Sequence, residues 1–130
     1  MGLERFVVAS ALRGIVAQRL VRRLCISCSV QVEITAHQRQ FLSIPETETH
    51  QVYKPTGCPD CNGTGYFGRL GIFEILEVDD ELADLLKFES LTRRELKAEL
   101  GQRGVVSLRE AGKEQILKGA TSVQEVIRVT

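Results

Sequence analysis

The sequence predicts an α+β chain in which a small tetracysteine β-ribbon module with flanking helices is followed by an all-helical subdomain. Three observations support this prediction. Two Cys-x-x-Cys pairs, Cys25/Cys28 and Cys58/Cys61, contain all four cysteines of the chain. A glycine-rich stretch with strand-like flanks follows the second pair. The C-terminal part of the chain repeats the [Ser/Thr]-x-x-[Glu/Gln] pattern that is typical of helix N-termini.

The composition is that of an ordinary soluble globular protein, with 43% hydrophobic residues and a formal net charge of zero over 130 residues. A neutral chain has no electrostatic footprint for nucleic acid, so we expect no nucleic-acid partner. Arginines interrupt the longest apolar stretches, and we therefore expect no membrane span. The N-terminus does not begin a signal peptide, which favours a reducing, cytoplasmic location.

The chain begins with a predicted helix followed by a predicted strand. Residues 7–18 are expected to be helical because Val8, Leu12, Ile15 and Val16 fall on one stripe. The hydrophobic period then changes, and residues 19–24 are expected to form a strand that leads into the first cysteine pair, with an extension of the helix as the alternative. These elements make residues 1–24 the first predicted segment.

Residues 25–78 are the predicted tetracysteine module. Thr35 and Gln38 form a capping-box pattern that starts a short helix ending at Leu42. A short strand is expected over residues 51–54, before the turn that carries the second cysteine pair. The glycines that follow indicate sharp turns or close backbone contacts, and residues 72–78 are expected to form the last strand.

Four helices are predicted in the remaining segment, residues 79–130. Each begins at a residue that can cap a helix N-terminus: Asp79, Thr92, Ser107 and Ser122. The last three have a glutamate three positions later, which completes the capping-box pattern. Gly119 is expected to end the third helix.

The cysteine spacing predicts a structural zinc site whose ligands are Cys25, Cys28, Cys58 and Cys61. Two tight turns can supply the tetrahedral four-sulfur shell that Zn²⁺ prefers, with Zn–S distances of about 2.3 Å. An iron site of the rubredoxin type has similar spacing and stays an alternative, as do disulfides and free thiols. Because cysteine fills all four positions, none is left for a metal-bound water, and zinc catalysis is not expected.

Five stretches of the chain carry a resemblance to a known family. They are residues 6–12 (FVVASAL), 18–25 (QRLVRRLC), 57–66 (GCPDCNGTGY), 68–76 (GRLGIFEIL) and 125–130 (EVIRVT). Together they resemble the C-terminal region of the bacterial secretion ATPases, which include type II secretion system protein E and the type IV pilus assembly ATPase. The resemblance covers essentially the whole chain.

The resemblance implies a RecA-like ATPase core ahead of this segment, with residues 1–24 as its last helix and strand. It also implies a hexamer at the cytoplasmic face of the inner membrane. The implied partners are that core, the neighbouring subunits and the inner-membrane platform proteins of secretion or pilus assembly. ATP and Mg²⁺ would bind the parent protein. The chain itself contains no Gly-x-x-x-x-Gly-Lys-[Ser/Thr] motif, so we expect it to be a C-terminal piece that does not hydrolyse ATP alone.

The resemblance also makes Arg69 a candidate for contacting nucleotide or a neighbouring subunit in the assembled ATPase. The alternative is a surface arginine paired with an acidic residue such as Glu74. Two other functions compete with the ATPase segment. One is a free-standing zinc-ribbon adaptor that binds nucleic acid or protein. The other is a chaperone cysteine-rich domain, whose repeat unit occurs here only once.

Overall fold

The computed structural model describes residue 2, residues 4–87 and residues 91–130. The described residues form six α-helices and four β-strands, which confirms the α+β class. The elements in chain order are α1 (Arg5–Ala11), β1 (Gly14–Leu24), β2 (Val30–Glu33), α2 (Ala36–Phe41), β3 (Gln51–Lys54), a 3₁₀ turn (Pro59–Cys61), β4 (Tyr66–Glu77), α3 (Asp80–Lys87), α4 (Arg93–Gln102), α5 (Leu108–Leu117) and α6 (Val123–Val129).

The strands form two small sheets of two strands each. In the first, β1 pairs with β4, and backbone bonds from Val78 N–H to the Arg13 carbonyl and from Cys25 N–H to the Gly65 carbonyl, both 3.0 Å, show that the strands run antiparallel. In the second, β2 pairs antiparallel with β3, so that Val30 lies opposite Lys54.

The chain divides into two compact units. Unit 1 consists of Met1–Ala17 and Glu74–Val106, and unit 2 consists of Gln18–Phe73 and Ser107–Thr130. Within unit 1, α1 packs against α3, and Leu82 of α3 is fully buried. In the same unit, the Arg103 guanidinium pairs with the carboxylates of Asp79, Glu81 and Glu99 at 2.6, 2.9 and 2.8 Å.

Unit 2 has the larger core and contains both cysteine pairs and the last two helices. Its buried apolar side chains come from β1, β3, β4, α5, α6 and the segment after α2: Val21, Leu42, Ile44, Val52, Ile72, Ile116, Val123 and Val126. Helices α5 and α6 approach closely at Gly112, where an added Cβ would lie 2.4 Å from Cγ1 of Val126. A glycine is required there because no side chain fits between the two helices.

The N-terminal helix prediction is wrong over most of its length. The structure has α1 ending at Ala11 and β1 beginning at Gly14, within the range predicted to be helical. Ile15 and Val16 are β-branched, which suits an extended chain, and Gly14 lies close to the partner strand, where an added Cβ would be 3.3 Å from the Leu76 carbonyl oxygen. The strand predicted over residues 19–24 is confirmed as the second half of β1.

The remaining elements lie close to their predicted positions. The strand over residues 51–54 is confirmed as β3, and the last predicted strand is present as β4 but begins earlier, at Tyr66. The capping box of Thr35 and Gln38 is formed at α2. The helix that Asp79 was predicted to cap is confirmed as α3, since the Leu82 N–H donates to the Asp79 carboxylate at 2.8 Å.

Only one of the three capping boxes predicted in the C-terminal segment is complete. Thr92 and Glu95 bond each other's backbone N–H groups, as a capping box requires. Ser107 and Ser122 accept the expected backbone bonds at α5 and α6, but Glu110 and Glu125 do not return them. The Glu125 carboxylate instead accepts a hydrogen bond from the backbone N–H of Arg22 in β1.

Candidate metal centre

The structure brings the four predicted cysteines together in unit 2. Their sulfur atoms all lie within 4.8 Å of one another. Sγ of Cys25 is 3.8 Å from Sγ of Cys58, Sγ of Cys28 is 3.8 Å from Sγ of Cys61, and the two sulfurs of the second pair are 3.7 Å apart. All four are free thiols, so the disulfide alternative does not describe this structure. The cluster could hold one metal ion and is consistent with zinc.

Each pair sits in a tight turn that presents both of its sulfurs. The first follows the end of β1, where the Cys25 carbonyl accepts from the N–H of Cys28 at 3.3 Å and from the N–H of Ser29 at 2.9 Å. The second flanks the 3₁₀ turn, whose Pro59 occupies a first-turn position that needs no N–H donor. The turn ends at Asn62 in the left-handed conformation, which asparagine tolerates better than most residues.

Backbone N–H groups point at Cys61 and favour its thiolate. The N–H groups of Cys58 and Gly65 donate to the Cys61 sulfur at 3.3 and 3.1 Å. Burial raises the pKa of the Cys61 thiol, but these two donors and the neighbouring thiols outweigh burial and lower that pKa to about 6. Since the thiolate is the form that binds metal, these donors favour Cys61 as a ligand sulfur. In the same turn, a backbone hydrogen bond from Cys61 lowers the pKa of the Cys58 thiol, but burial and the hydrogen bonds with the Cys61 and Cys28 side chains outweigh it and raise that pKa to about 12.

Gly65 joins the two cysteine pairs through its backbone. Its N–H donates to Cys61, while its carbonyl accepts from the Cys25 N–H at 3.0 Å. The residue has φ of +76°, and an added Cβ would lie 2.3 Å from Cβ of Pro55. Both the backbone conformation and the lack of space therefore require glycine at this position.

The strand that leads into the first pair is held by the turn between α5 and α6. The Leu24 N–H donates to the Ala120 carbonyl at 2.9 Å, and the Thr121 hydroxyl donates to the Arg22 carbonyl at 2.7 Å. Next to them, the Arg22 N–H donates to a carboxylate oxygen of Glu125 at 2.8 Å. These bonds hold the strand at Arg22 and Leu24, just before Cys25.

Glu125 is the buried charge of this region, with 2% of its side chain exposed. The Arg22 guanidinium donates twice to one of its oxygens, at 3.0 and 2.7 Å, and Arg128 donates to the other at 2.9 Å. Burial alone raises the pKa of Glu125, but the bonds from Arg22 and Arg128 lower it to about 2. The Arg22 guanidinium also lies 4.1 Å from the centre of the Tyr66 ring, and the Tyr66 hydroxyl is 2.8 Å from that of Ser122.

Sequence reasoning did not identify Glu125 as part of the site. Locally it looks like the third residue of a capping box, and its partner Arg22 lies 103 residues away in the chain. No local pattern links the two residues, because the contact exists only once α6 packs on β1.

The other candidate residues lie outside the cysteine cluster. Arg69 is exposed on β4 and makes no ion pair within the described part of the chain. His37 is exposed, and Nε2 of His50 is 2.8 Å from a Glu48 carboxylate oxygen.

The chain matches known proteins over nearly its whole length. The model of the family described as "Type II/IV secretion system protein" matches residues 1–128. The chain is 42% identical to the type IV pilus assembly ATPase TfpB of Acinetobacter baylyi, over 99% of this chain and 22% of the relative. It is 42% identical to the type II secretion system ATPase E of Vibrio cholerae, over 100% of this chain and 25% of the relative. It is 39% identical to the type IV pilus assembly ATPase PilB of Thermus thermophilus, over 100% of this chain and 15% of the relative.

The chain thus spans about a quarter or less of the length of these relatives. None of the helices in the described part of the chain has the length and apolar character that crossing a membrane requires.

Proposed function

Since this chain belongs to the type II/IV secretion system protein family, we propose that it is the zinc-binding C-terminal part of a cytoplasmic ATPase that powers type II protein secretion or type IV pilus assembly. The parent protein is a hexamer on the cytoplasmic side of the inner membrane. Its ATPase core, neighbouring subunits and inner-membrane platform proteins are the partners. This segment supports hexamer and nucleotide-site organisation and does not catalyse ATP hydrolysis alone, because it lacks the phosphate-binding loop.

The four-sulfur cluster carries the zinc part of the proposal. A regular tetrahedron with Zn–S distances of about 2.3 Å has edges of about 3.8 Å. Three of the sulfur separations, at 3.7 and 3.8 Å, match such a shell, and all four sulfurs lie within 4.8 Å of one another. Cysteine ligands at all four positions leave no open coordination site, so the ion acts on the fold and not on a substrate.

The zinc stabilises a region that has little regular secondary structure. The segment between the two cysteine pairs contains only two short strands and the two-turn helix α2. Structural zinc in small cysteine sites contributes an apparent binding free energy of about 10–16 kcal/mol. This is comparable with or larger than the total stability of an ordinary domain, about 5–15 kcal/mol.

Arg69 is proposed to contact nucleotide or a neighbouring subunit in the assembled ATPase. Its side chain is exposed on β4 and makes no ion pair in the described residues. A guanidinium in that state can bind phosphate or carboxylate groups through two parallel bonds.

Metal analysis of the purified chain tests the zinc site. We expect one zinc per chain by elemental analysis and loss of that zinc in Cys58→Ser. Ser27→Ala is the control, because Ser27 lies exposed in the first turn without being a ligand. One iron per chain would correct the identity of the metal, and a folded chain with no bound metal would overturn the site.

A chimaera tests the ATPase part. This chain replaces the matching segment of the Vibrio cholerae type II secretion ATPase, to which it is 42% identical. We expect the chimaera to form hexamers and hydrolyse ATP, Cys58→Ser to lose both properties, and Arg69→Ala to lower ATP turnover with assembly retained. Full activity of the Cys58→Ser chimaera would contradict the supporting role of zinc, and full activity of Arg69→Ala would remove the role of that arginine.

A further inference from the structure

Two large apolar side chains next to the metal centre are exposed to solvent. Ile26, which lies between Cys25 and Cys28, is 94% exposed, and Phe67 at the start of β4 is 70% exposed. Both line one surface depression of about 390 Å³, together with Arg23 and Asp60. We call these four residues, Arg23, Ile26, Asp60 and Phe67, the knuckle patch.

Hydrogen bonds and ring contacts of neighbouring residues hold the backbone of the knuckle patch in place. Ile26 lies in a turn whose two ends are bonded through the Cys25 carbonyl, and Phe67 follows Tyr66, whose ring and hydroxyl contact Arg22 and Ser122. An apolar surface that is already ordered loses little conformational entropy when a partner covers it. Adjacent exposed apolar side chains of this size are typical of protein–protein contact surfaces.

The charges of the knuckle patch indicate what covers it. Arg23 and Asp60 are both exposed, and within the described part of the chain neither makes an ion pair. One is positive and the other negative, so the patch has no net charge and is complementary to itself. In a two-fold contact each residue meets the other residue of the second copy, so two Arg23–Asp60 pairs would form around the apolar side chains.

We propose that the knuckle patch binds a second copy of this chain in a two-fold contact. Ile26 of each copy enters the depression of the other, and Arg23 of each copy pairs with Asp60 of its partner. A two-fold contact closes on a pair of chains, whereas a ring needs head-to-tail contacts. The proposal is therefore separate from the hexamer of the parent ATPase and does not depend on it.

Sedimentation of the metal-loaded chain over a range of concentrations tests the apolar part of the contact. We expect a monomer–dimer equilibrium that Ile26→Ser weakens at least tenfold, because each dimer loses two buried isoleucines. Val106→Ser is the matched control, since Val106 is also apolar and 55% exposed but lies in unit 1. A chain that stays monomeric at all concentrations overturns the proposal, and so does a dimer that Ile26→Ser leaves unchanged.

Charge reversal tests the two-fold arrangement. Arg23→Glu and Asp60→Lys each place like charges opposite one another, so each variant alone should associate at least tenfold more weakly than the parent chain. A mixture of the two variants restores both opposite-charge pairs and should recover dimers at nearly the parent affinity. If the mixture stays monomeric while both variants retain their metal, the two-fold contact is wrong. Should Asp60→Lys lose its metal, Asp60→Asn replaces it, with partial weakening expected and unchanged association refuting the pair.

Discussion

Replacing Glu125 by glutamine tests how the last helix is attached to the strand that enters the metal centre. The substitution keeps the shape of the side chain and removes its charge. In the native structure the buried carboxylate accepts from the Arg22 backbone and from the guanidinium groups of Arg22 and Arg128. A glutamine retains one acceptor oxygen, but its NH₂ group faces N–H donors. At least one hydrogen bond is therefore lost, and the NH₂ group is left in a repulsive contact with a donor.

The expected loss of stability follows from the pKa of Glu125. A fall of that pKa from 4.5 to about 2 corresponds to roughly 3 kcal/mol in favour of the carboxylate in the folded chain. Arg22 and Arg128 have side chains that are 51% and 56% exposed, so water screens part of this attraction. We therefore expect Glu125→Gln to lower the free energy of unfolding by about 2 kcal/mol at pH 7.

The stability contribution of Glu125 depends on pH, and the sign of this dependence follows from its pKa. The folded-state pKa of Glu125 lies below its unfolded value, so its contribution is complete above about pH 5 and is lost as pH falls from 4.5 towards 2. Glutamine does not titrate. The difference in stability between the parent chain and Glu125→Gln should therefore narrow by roughly a quarter at pH 4 and by more than half at pH 3.

Tyrosine fluorescence during urea unfolding measures this difference in stability for unit 2, the unit that contains Glu125. The chain has no tryptophan, and its two tyrosines, Tyr53 and Tyr66, both lie in unit 2. Glu114→Gln is the control, because the Glu114–Lys118 pair on α5 is exposed and should contribute less than about 0.5 kcal/mol. Loss of metal at low pH affects parent and variant alike, so only their difference is compared. Equal stability of Glu125→Gln and Glu114→Gln at pH 7 would refute the reasoning.

Two further predictions use pairs of glycines. Gly65→Ala should weaken zinc binding at least tenfold in a competition titration with a chelator. Gly63→Ala should weaken it far less, because Gly63 has a similar φ of +77° but no atom within 4 Å of an added Cβ. Equal effects of the two substitutions would show that backbone strain alone matters. Gly112→Ala should destabilise unit 2 by about 1–3 kcal/mol in urea unfolding because its Cβ meets Val126. Gly101→Ala in α4, which has open space, should be neutral or stabilise the helix by up to about 1 kcal/mol, and the reverse ranking would contradict the packing argument.

Features that depend on neighbours in the sequence were predictable. The cysteine spacing placed four sulfurs together, and the caps at Thr35, Asp79 and Thr92 began helices where expected, because each signal acts within a few residues. The beginning of β1 was not predictable in this way. Its hydrophobic residues also fit a helical stripe, and the choice of an extended chain is made by pairing with β4, a distant partner.

The same distinction explains why the cysteine cluster was predicted from the sequence and the contacts that support it were not. A ligand set has a chemical signature that survives in the sequence, whereas a supporting contact needs only two compatible groups at any separation. Gly65 was recognisable as a turn residue, but its two bonds to the cysteine pairs follow from the return of the chain to β1. Glu125 was assigned a local capping role, and the buried arginine contacts that occupy it have no local pattern.

Metal binding and the packing of α5 and α6 are linked through β1. Arg22 and Leu24, which precede Cys25, bond to the turn between these helices, and Val21 of the same strand lies in the core that Ile116 and Val126 complete. A metal ion that orders Cys25 therefore also orders the strand on which the last two helices pack. By thermodynamic linkage, whatever stabilises that packing raises the apparent metal affinity of the chain, because a larger fraction of the molecules has the cysteines in place. The C-terminal helices thus contribute to the stability of the candidate metal centre, although they supply none of its cysteines.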